Sequence, residues 1–307
     1  KQLENDGQSL FTWPLQVARR RWPIYFPALF ILLTLLATVS QAQYIQNSTM
    51  LGTVANDYPN RIQVVNGETY MLGVANATNY PVTNGSTYVG GQDLVITKLN
   101  AAGNIAYSTY LGGSGPEFGE YFKVVNGEVY IFGSTESSNF PVTNGSTYSG
   151  TTKTHLTKLD AAGNIAFSTY LGGSGADSPT GLEVVNGEIH LLFSVTSTNF
   201  PVTNGSAYGG GSSDLAYMKL STSGNILFST YLGGSGEDYS AINFKVEGGK
   251  VYIIGYTNSP NFPVTNGSTY QGNYDIVYIR LSTSGTIEFA SYYGTPNNDY
   301  SYFFDVY

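Results

Sequence analysis

The chain contains no cysteine. Disulfide stapling, thiolate catalysis and cysteine-ligated zinc are therefore excluded, and stability must come from buried apolar surface and backbone hydrogen bonds. Charge is sparse, at 11% of residues, and 13 basic side chains face 21 acidic ones for a formal net charge of −8. No basic stripe exists to neutralise phosphates, so nucleic acid is excluded as a partner, and the acidic balance disfavours anionic membranes. From Gln43 onward no stretch shows the 3.6-residue apolar period of a helix. What the chain has is glycine (37 residues) and tyrosine (26 residues), a composition that suits an all-β protein with many tight turns.

The organisation is repetitive. The string Phe/Tyr-Pro-Val-Thr-Asn-Gly-Ser-Thr/Ala-Tyr occurs four times, with its proline at Pro81, Pro141, Pro201 and Pro263, in steps of 60, 60 and 62 residues. A second string, Ser-Thr-Tyr-Leu-Gly-Gly, keeps the same beat at Gly112, Gly172 and Gly233, and a degraded copy ends at Gly294. Self-similarity at a fixed period marks a repeat architecture.

One copy reads as four strands. Glu120–Val125 and Glu128–Gly133 flank Asn126-Gly127, the strongest short hairpin signal, because both central positions of a type I′ turn need positive φ. A long connection, Ser134–Thr152, holds the Pro-Val-Thr-Asn-Gly-Ser string. Thr154–Leu159 and Asn164–Leu171 follow, joined by Asp160-Ala161-Ala162-Gly163. Four antiparallel strands, each joined to the next, make a propeller blade. A β-solenoid is the rival, but its coils are shorter and lack two-residue hairpins. The units are 57–112, 117–172, 177–233 and 238–294, with partial ones at 44–52 and 299–307. The chain therefore reads as an all-β propeller of about 60 residues per blade, with four complete blades. It reads as an open arc of a larger ring, truncated at its C-terminus.

The N-terminus reads differently. Arg19-Arg20-Arg21, an apolar run from Ala28 to Val39 and the small-x-small Ser40-Gln41-Ala42 describe a secretory signal peptide over 17–42, cleaved after Ala42. A transmembrane anchor is the alternative. The 16 residues from Ile24 to Val39 fall short of the ~20 needed to span, and they contain Pro27. No Met precedes this segment, which suggests Val17 as a start codon read as valine and 1–16 as upstream read-through or a disordered lead.

These motifs resemble the SBBP repeat family of bacterial secreted and surface proteins, named for seven-bladed β-propellers. The resemblance spans nearly all of the chain beyond the signal segment. It rests on the Phe-Pro of the long loop, the Asp-x-x-x-x-Lys-Leu third strand and the Ser-Thr-Tyr-Leu-Gly-Gly fourth strand. The third-strand Asp is Asp93, Asp214 and Asp275, but copy two has Lys153. The resemblance implies a seven-bladed ring needing about three more units, and no single activity defines the family.

Two sets of residues are candidate sites. An acidic residue recurs after each Gly-Gly: Asp57, Glu117, Asp177, Asp238 and Asp299. In a propeller this turn lies at the mouth of the central channel, where a carboxylate ring can hold Ca²⁺ or a cationic or sugar ligand. Turn chemistry, with the carboxylate bonding nearby backbone N–H groups, is the competing explanation. The loop tyrosines Tyr88, Tyr148, Tyr208 and Tyr270 can stack on sugar rings, or pack the loop onto its own blade. Asn84, Asn144, Asn204 and Asn266, like Asn47 and Asn76, are formal glycosylation sequons, although a turn requiring Asn-Gly explains the repeated set better.

Catalysis finds little support in the sequence. His155 and His190 stand where other copies have Ile96 or Leu215, and Tyr70 or Tyr130. No Gly-x-Ser-x-Gly elbow or His-Glu-x-x-His pair occurs, and no blade carries a unique polar cluster. The main expectation is a secreted or cell-surface, non-enzymatic propeller that acts as a binding or adhesion scaffold for an extracellular glycan or protein, with no cofactor beyond a candidate Ca²⁺. One alternative is an extracellular structural protein that assembles through blade edges. Another is a carbohydrate-active enzyme with catalytic residues in blades beyond this sequence.

Overall fold

The computed structural model describes residues 50–148 and 152–301. The signal segment 17–42, the lead 1–16, residues 44–49 of the partial unit 44–52 and residues 302–307 of the partial unit 299–307 lie outside the described residues. Sixteen strands form four four-stranded antiparallel sheets, each in simple sequence order. Blade one is β1 (Tyr58–Val65), β2 (Glu68–Ala75), β3 (Asp93–Leu99) and β4 (Ile105–Leu111). Blade two is β5 (Glu117–Val125), β6 (Glu128–Thr135), β7 (Lys153–Leu159) and β8 (Ile165–Leu171). Blade three is β9 (Ser178–Val185), β10 (Glu188–Val195), β11 (Asp214–Ser221) and β12 (Ile226–Leu232). Blade four is β13 (Asp238–Glu247), β14 (Lys250–Thr257), β15 (Asp275–Ser282) and β16 (Ile287–Tyr293). The first strands β1, β5, β9 and β13 lie next to one another from blade to blade, which makes them the inner strands of a β-propeller. No helix among the described residues is long and apolar enough to cross a membrane.

The hairpins form as their turn residues require. Asn66-Gly67, Asn126-Gly127 and Asn186-Gly187 all have positive φ, for example 53° and 81° in blade two, and Gly248-Gly249 does the same in blade four. Both positions of a type I′ turn need this, and its twist matches that of the flanking strands. The lysine of the third-strand motif bridges to the glutamate that follows the hairpin turn at the start of the neighbouring second strand, with Lys98–Glu68 at 2.9 Å and Lys158–Glu128 at 2.8 Å.

The core lies between blades. Tyr70, Leu72, Leu94 and Ile96 of blade one meet Val124, Val129, Ile131 and Leu159 of blade two. Phe132 and Phe193 stand edge to face at 5.0 Å across the next seam, and Leu192, Leu215 and Tyr217 meet Phe244, Val246 and Ile253 across the third. Each such side chain contributes about 1.5–3 kcal/mol by leaving water. The upstream face of blade one presents Ile62 (68% exposed) and Val64 (65% exposed), the counterparts of Phe122 and Val124 in the next seam.

The two repeated strings are partners in one structure. Asn84 Nδ2 donates to Thr109 Oγ1 at 2.9 Å, while Asn84 Oδ1 accepts the Ser86 N–H. Ser86 Oγ in turn accepts the Tyr110 N–H at 2.8 Å, and Thr83 Oγ1 accepts that of Ser108. The pattern recurs at Asn144–Thr169, Asn204–Thr230 and Asn266–Ser291. The long loop is thus laced to the fourth strand of its own blade, and the sequon amides are engaged within the protein.

Candidate functional site

Each recurring acid closes the turn that precedes it. Glu117 accepts the Gly113 N–H at 3.0 Å, Thr135 Oγ1 at 2.8 Å and Ser137 Oγ at 2.5 Å. Asp177 accepts the Gly173 N–H at 2.6 Å and Ser197 Oγ at 2.7 Å, and Asp238 accepts Gly234 N–H at 2.8 Å and Ser259 Oγ at 2.9 Å. Asp57 and Asp299 bond Thr53 and Thr295 in the same way. These carboxylates therefore lie at the seams between blades, bound to backbone and hydroxyl donors.

At two seams, and again at the downstream edge of blade four, a second carboxyl group stands opposite. The Glu117 N–H donates to the Gln92 carbonyl at 2.8 Å, Asp238 N–H to Ser213 at 2.7 Å and Asp299 N–H to Tyr274 at 2.7 Å. This backbone link brings Asp93 beside Glu117, Asp214 beside Asp238 and Asp275 beside Asp299. Burial pushes Asp93 and Asp214 up to about 7, and the neighbouring acid adds to the rise. Glu117, Asp238 and Asp275 are raised by the same desolvation.

The loop tyrosines stand edge-on or tilted against the fourth-strand tyrosine, with Tyr88–Tyr110 at 6.0 Å, Tyr148–Tyr170 at 5.6 Å, Tyr208–Tyr231 at 6.0 Å and Tyr270–Tyr292 at 5.9 Å. The hydroxyls of Tyr88 and Tyr208 donate to the carbonyls of Gly91 and Gly211, at 2.7 and 3.1 Å, and that of Tyr270 donates to Asn273.

Two clusters break the repeat, which corrects the expectation that no blade has a unique polar group. In blade two, His155 lies opposite Gly133, so its structural counterparts are Val95, Ala216 and Val277 rather than Ile96 and Leu215. Its Nε2 and Glu120 Oε2 converge over Gly133, at 2.9 and 3.0 Å from where a Cβ would stand, and neither has a hydrogen-bond partner. Burial drives His155 down to about 3 and Glu120 up to about 7. His190 is separate: its Nδ1 meets Tyr217 Oη at 2.7 Å, and burial drives it down to about 4.

The other cluster is on blade four. Tyr239 and Tyr256 face each other across β13 and β14 with ring centres 5.3 Å apart. Tyr274 and Tyr300 close around Tyr256 at 5.7 and 5.0 Å. Tyr274 Oη donates to Glu237 Oε2, and Ser212 Oγ donates to Glu237 Oε1 at 2.5 Å. The Ser212 and Tyr274 hydroxyls hold the Glu237 carboxyl below its usual range, and Glu237 in return holds the Tyr274 phenol well above its own. Corresponding positions carry Tyr58 and Val74 in blade one, Phe118 and Ser134 in blade two, and Ser178 and Ser194 in blade three, so the facing pair of tyrosines is particular to blade four. Tyr300 is 41% exposed and the other three rings are half-buried, so the aromatic rings and the Glu237 carboxyl lie side by side at the surface. Tyr239 and Tyr300 follow the recurring acid, as Tyr58 does in blade one, but Tyr256 and Tyr274 carry no local signature among 26 tyrosines.

No family model and no curated protein matches the chain, so the SBBP likeness stands as one of motifs. Among solved structures it is similar to the plexin A4 extracellular region, with TM-score 0.39 and 13% identity over 77% of this chain and 27% of that one. A subtype N10 neuraminidase-like protein of A/little yellow-shouldered bat/Guatemala/060/2010 follows, with TM-score 0.37 and 10% identity over 78% of this chain and 63% of that one. A thermostable family-43 glycoside hydrolase has TM-score 0.34 and 11% identity over 78% of each chain. With glycoside hydrolases among these neighbours, the expectation of a protein that is not an enzyme is corrected and no longer stands. At these scores the likeness assigns no activity to this chain.

Proposed function

We propose that this chain belongs to an exported carbohydrate-active β-propeller that seats a neutral glycan on Tyr239, Tyr256, Tyr274 and Tyr300 beside Glu237. The observation that carries this reading is the break in symmetry on blade four. The repeated polar residues serve the framework, since each loop asparagine and each acid is bonded within its own turn or seam. The tyrosine cluster has no such duty in the other blades. Tyrosine rings offer sugar C–H faces a broad apolar surface with a polar rim, and few groups of fixed orientation then set specificity. Glu237, held ionised, accepts hydroxyl protons. Its charge and the formal net charge of −8 favour an uncharged polysaccharide over an acidic one.

The test is affinity electrophoresis of the full chain through gels containing uncharged β-glucan, xylan or mannan. At least one polysaccharide should retard the protein, and Tyr274→Ala should weaken retardation about tenfold, the loss of ~1.4 kcal/mol common for a buried aromatic anchor. Tyr88→Ala, on a loop outside the cluster, should leave it unchanged. Retardation that survives Tyr274→Ala and Tyr300→Ala, or its absence with every polysaccharide, contradicts the reading. Release of reducing ends in the same incubations extends it from binding to hydrolysis.

A further inference from the structure

Blade two departs from its neighbours at the start of the third strand. Strands β3, β11 and β15 begin with Asp93, Asp214 and Asp275, but β7 begins with Lys153. That lysine is 5% exposed, and its Nζ donates to the Gly173 carbonyl beside the Asp177 carboxylate. In this seam, then, a cationic group sits between a main-chain oxygen and the acid of the next unit.

At the first and third seams two carboxyl groups frame the same place, and at the edge of blade four Asp275 stands there. Asp93 Oδ1 and Glu117 Oε2 each stand 2.4 Å from the point where a Cβ on Gly112 would be. Asp214 Oδ1 and Asp238 Oδ2 stand 2.6 and 2.8 Å from the matching point on Gly233, and Asp275 Oδ1 is 2.2 Å from that on Gly294. Only glycine leaves this gap open. Asp93, Asp214 and Asp275 are fully buried. Their Oδ2 atoms accept the N–H groups of Val89, Gly209 and Gln271. Asp214 Oδ1 and Asp275 Oδ1 have no donor, and Asp93 Oδ1 meets only the Glu117 carboxyl group. A buried carboxylate oxygen without a partner is costly, and blade two shows the fold's own remedy, a positive charge in the seat.

We propose that these three places are calcium seats, two at seams between blades and one at the downstream edge of blade four, framed by Asp93 with Glu117, Asp214 with Asp238 and Asp275 with Asp299, and that Lys153 is the in-chain replacement for the ion at the seam of blades two and three. The carbonyls of Gly113, Gly234 and Thr295 are the sequence counterparts of the Gly173 carbonyl that Lys153 reaches, and they are the third oxygen proposed for each seat. A hard divalent cation takes such all-oxygen ligand sets. No group of three or more His, Cys, Asp or Glu side chains converges among the described residues, so main-chain oxygen and water complete each shell. At the two seams the ion would tie neighbouring blades together where two carboxyl groups now meet.

The test uses the full chain stripped with chelator and equilibrated with calcium in slightly alkaline buffer. Equilibrium dialysis should give three bound ions per chain, and the thermal midpoint should rise with calcium concentration. Asp214→Lys, which writes the blade-two arrangement into blade three, should bind two. Asp214→Asn keeps the side-chain shape and should also bind two, which decides the matter if the lysine variant does not fold. Absence of saturable binding at about millimolar calcium overturns the proposal, as does a stoichiometry unchanged in both variants. A thermal midpoint indifferent to calcium but rising as pH falls assigns the seats to protons and overturns it equally.

Discussion

The hydroxyl of Tyr170 accepts the backbone N–H of Phe140 at 3.1 Å and donates to the carbonyl of Ser137 at 2.7 Å. One phenol thus satisfies two backbone groups at the entry to the long loop, from the far strand of the same blade. Tyr110, Tyr231 and Tyr292 make the same pair of bonds. The loop motif and the fourth-strand motif therefore share a period because they are one hydrogen-bonded unit.

Tyr170→Phe keeps the ring and removes both bonds. The buried Phe140 N–H would keep only its long bond to the Ser137 carbonyl at 3.4 Å, a loss of about 1–3 kcal/mol. Urea unfolding should show that loss, with Tyr231→Phe matching it. A change below about 0.5 kcal/mol would mean that water or another group replaces the phenol.

The hairpin turns give a second prediction. Gly127 has φ of 81° and Asn126 has φ of 53°. Gly127→Ala should destabilise by about 1 kcal/mol or more, whereas Asn126→Gly should be nearly neutral, because only the former adds a Cβ to a left-handed position held by glycine. Equal losses from both would show that the asparagine side chain, not the backbone angle, holds the turn.

The third prediction concerns pH. The native state keeps the Glu120 proton up to about 7, while the unfolded chain releases it near 4.5, so stability falls as pH rises through that window. Asp93 and Asp214, also raised to about 7, steepen the same limb. His155 acts oppositely: the native state refuses the proton that the unfolded chain binds below 6.5, so stability falls as pH drops from there toward 3. Glu120→Gln should reduce the first slope by up to one proton, ~1.4 kcal/mol per pH unit, and His155→Val should reduce the second. Denaturant midpoints between about pH 4 and 8 read both limbs. An unchanged first slope in Glu120→Gln would show that Glu120 is ionised in the native state.

Much of the framework was legible in the sequence, because it depends on short-range rules. Asn126-Gly127 announces its turn, and the strand of copy two read at Glu128–Gly133 runs to Thr135 in the structure. The pairing of Asn84 with Thr109 was not legible, since it joins residues 25 apart whose meeting requires the folded blade. The acids were visible, but Asp93 and Glu117 belong to different units and only blade packing sets them face to face. Lys153 looked like a simple departure from the repeat, and its meaning depends on the Gly173 carbonyl it reaches. The blade-four cluster gathers Ser212, Glu237, Tyr239, Tyr256, Tyr274 and Tyr300 from several connections and strands, so no local string betrays it.

The central claim is that the symmetric motifs build the framework while the asymmetric tyrosine cluster meets the ligand. It is tested most directly by titrating the wild type, Tyr274→Ala and Tyr88→Ala by calorimetry with an oligosaccharide of whichever polysaccharide retards the protein. Saturable binding weakened about tenfold in Tyr274→Ala and unchanged in Tyr88→Ala is the predicted result. Equal affinity in the wild type and Tyr274→Ala, or a loss confined to Tyr88→Ala, would contradict it.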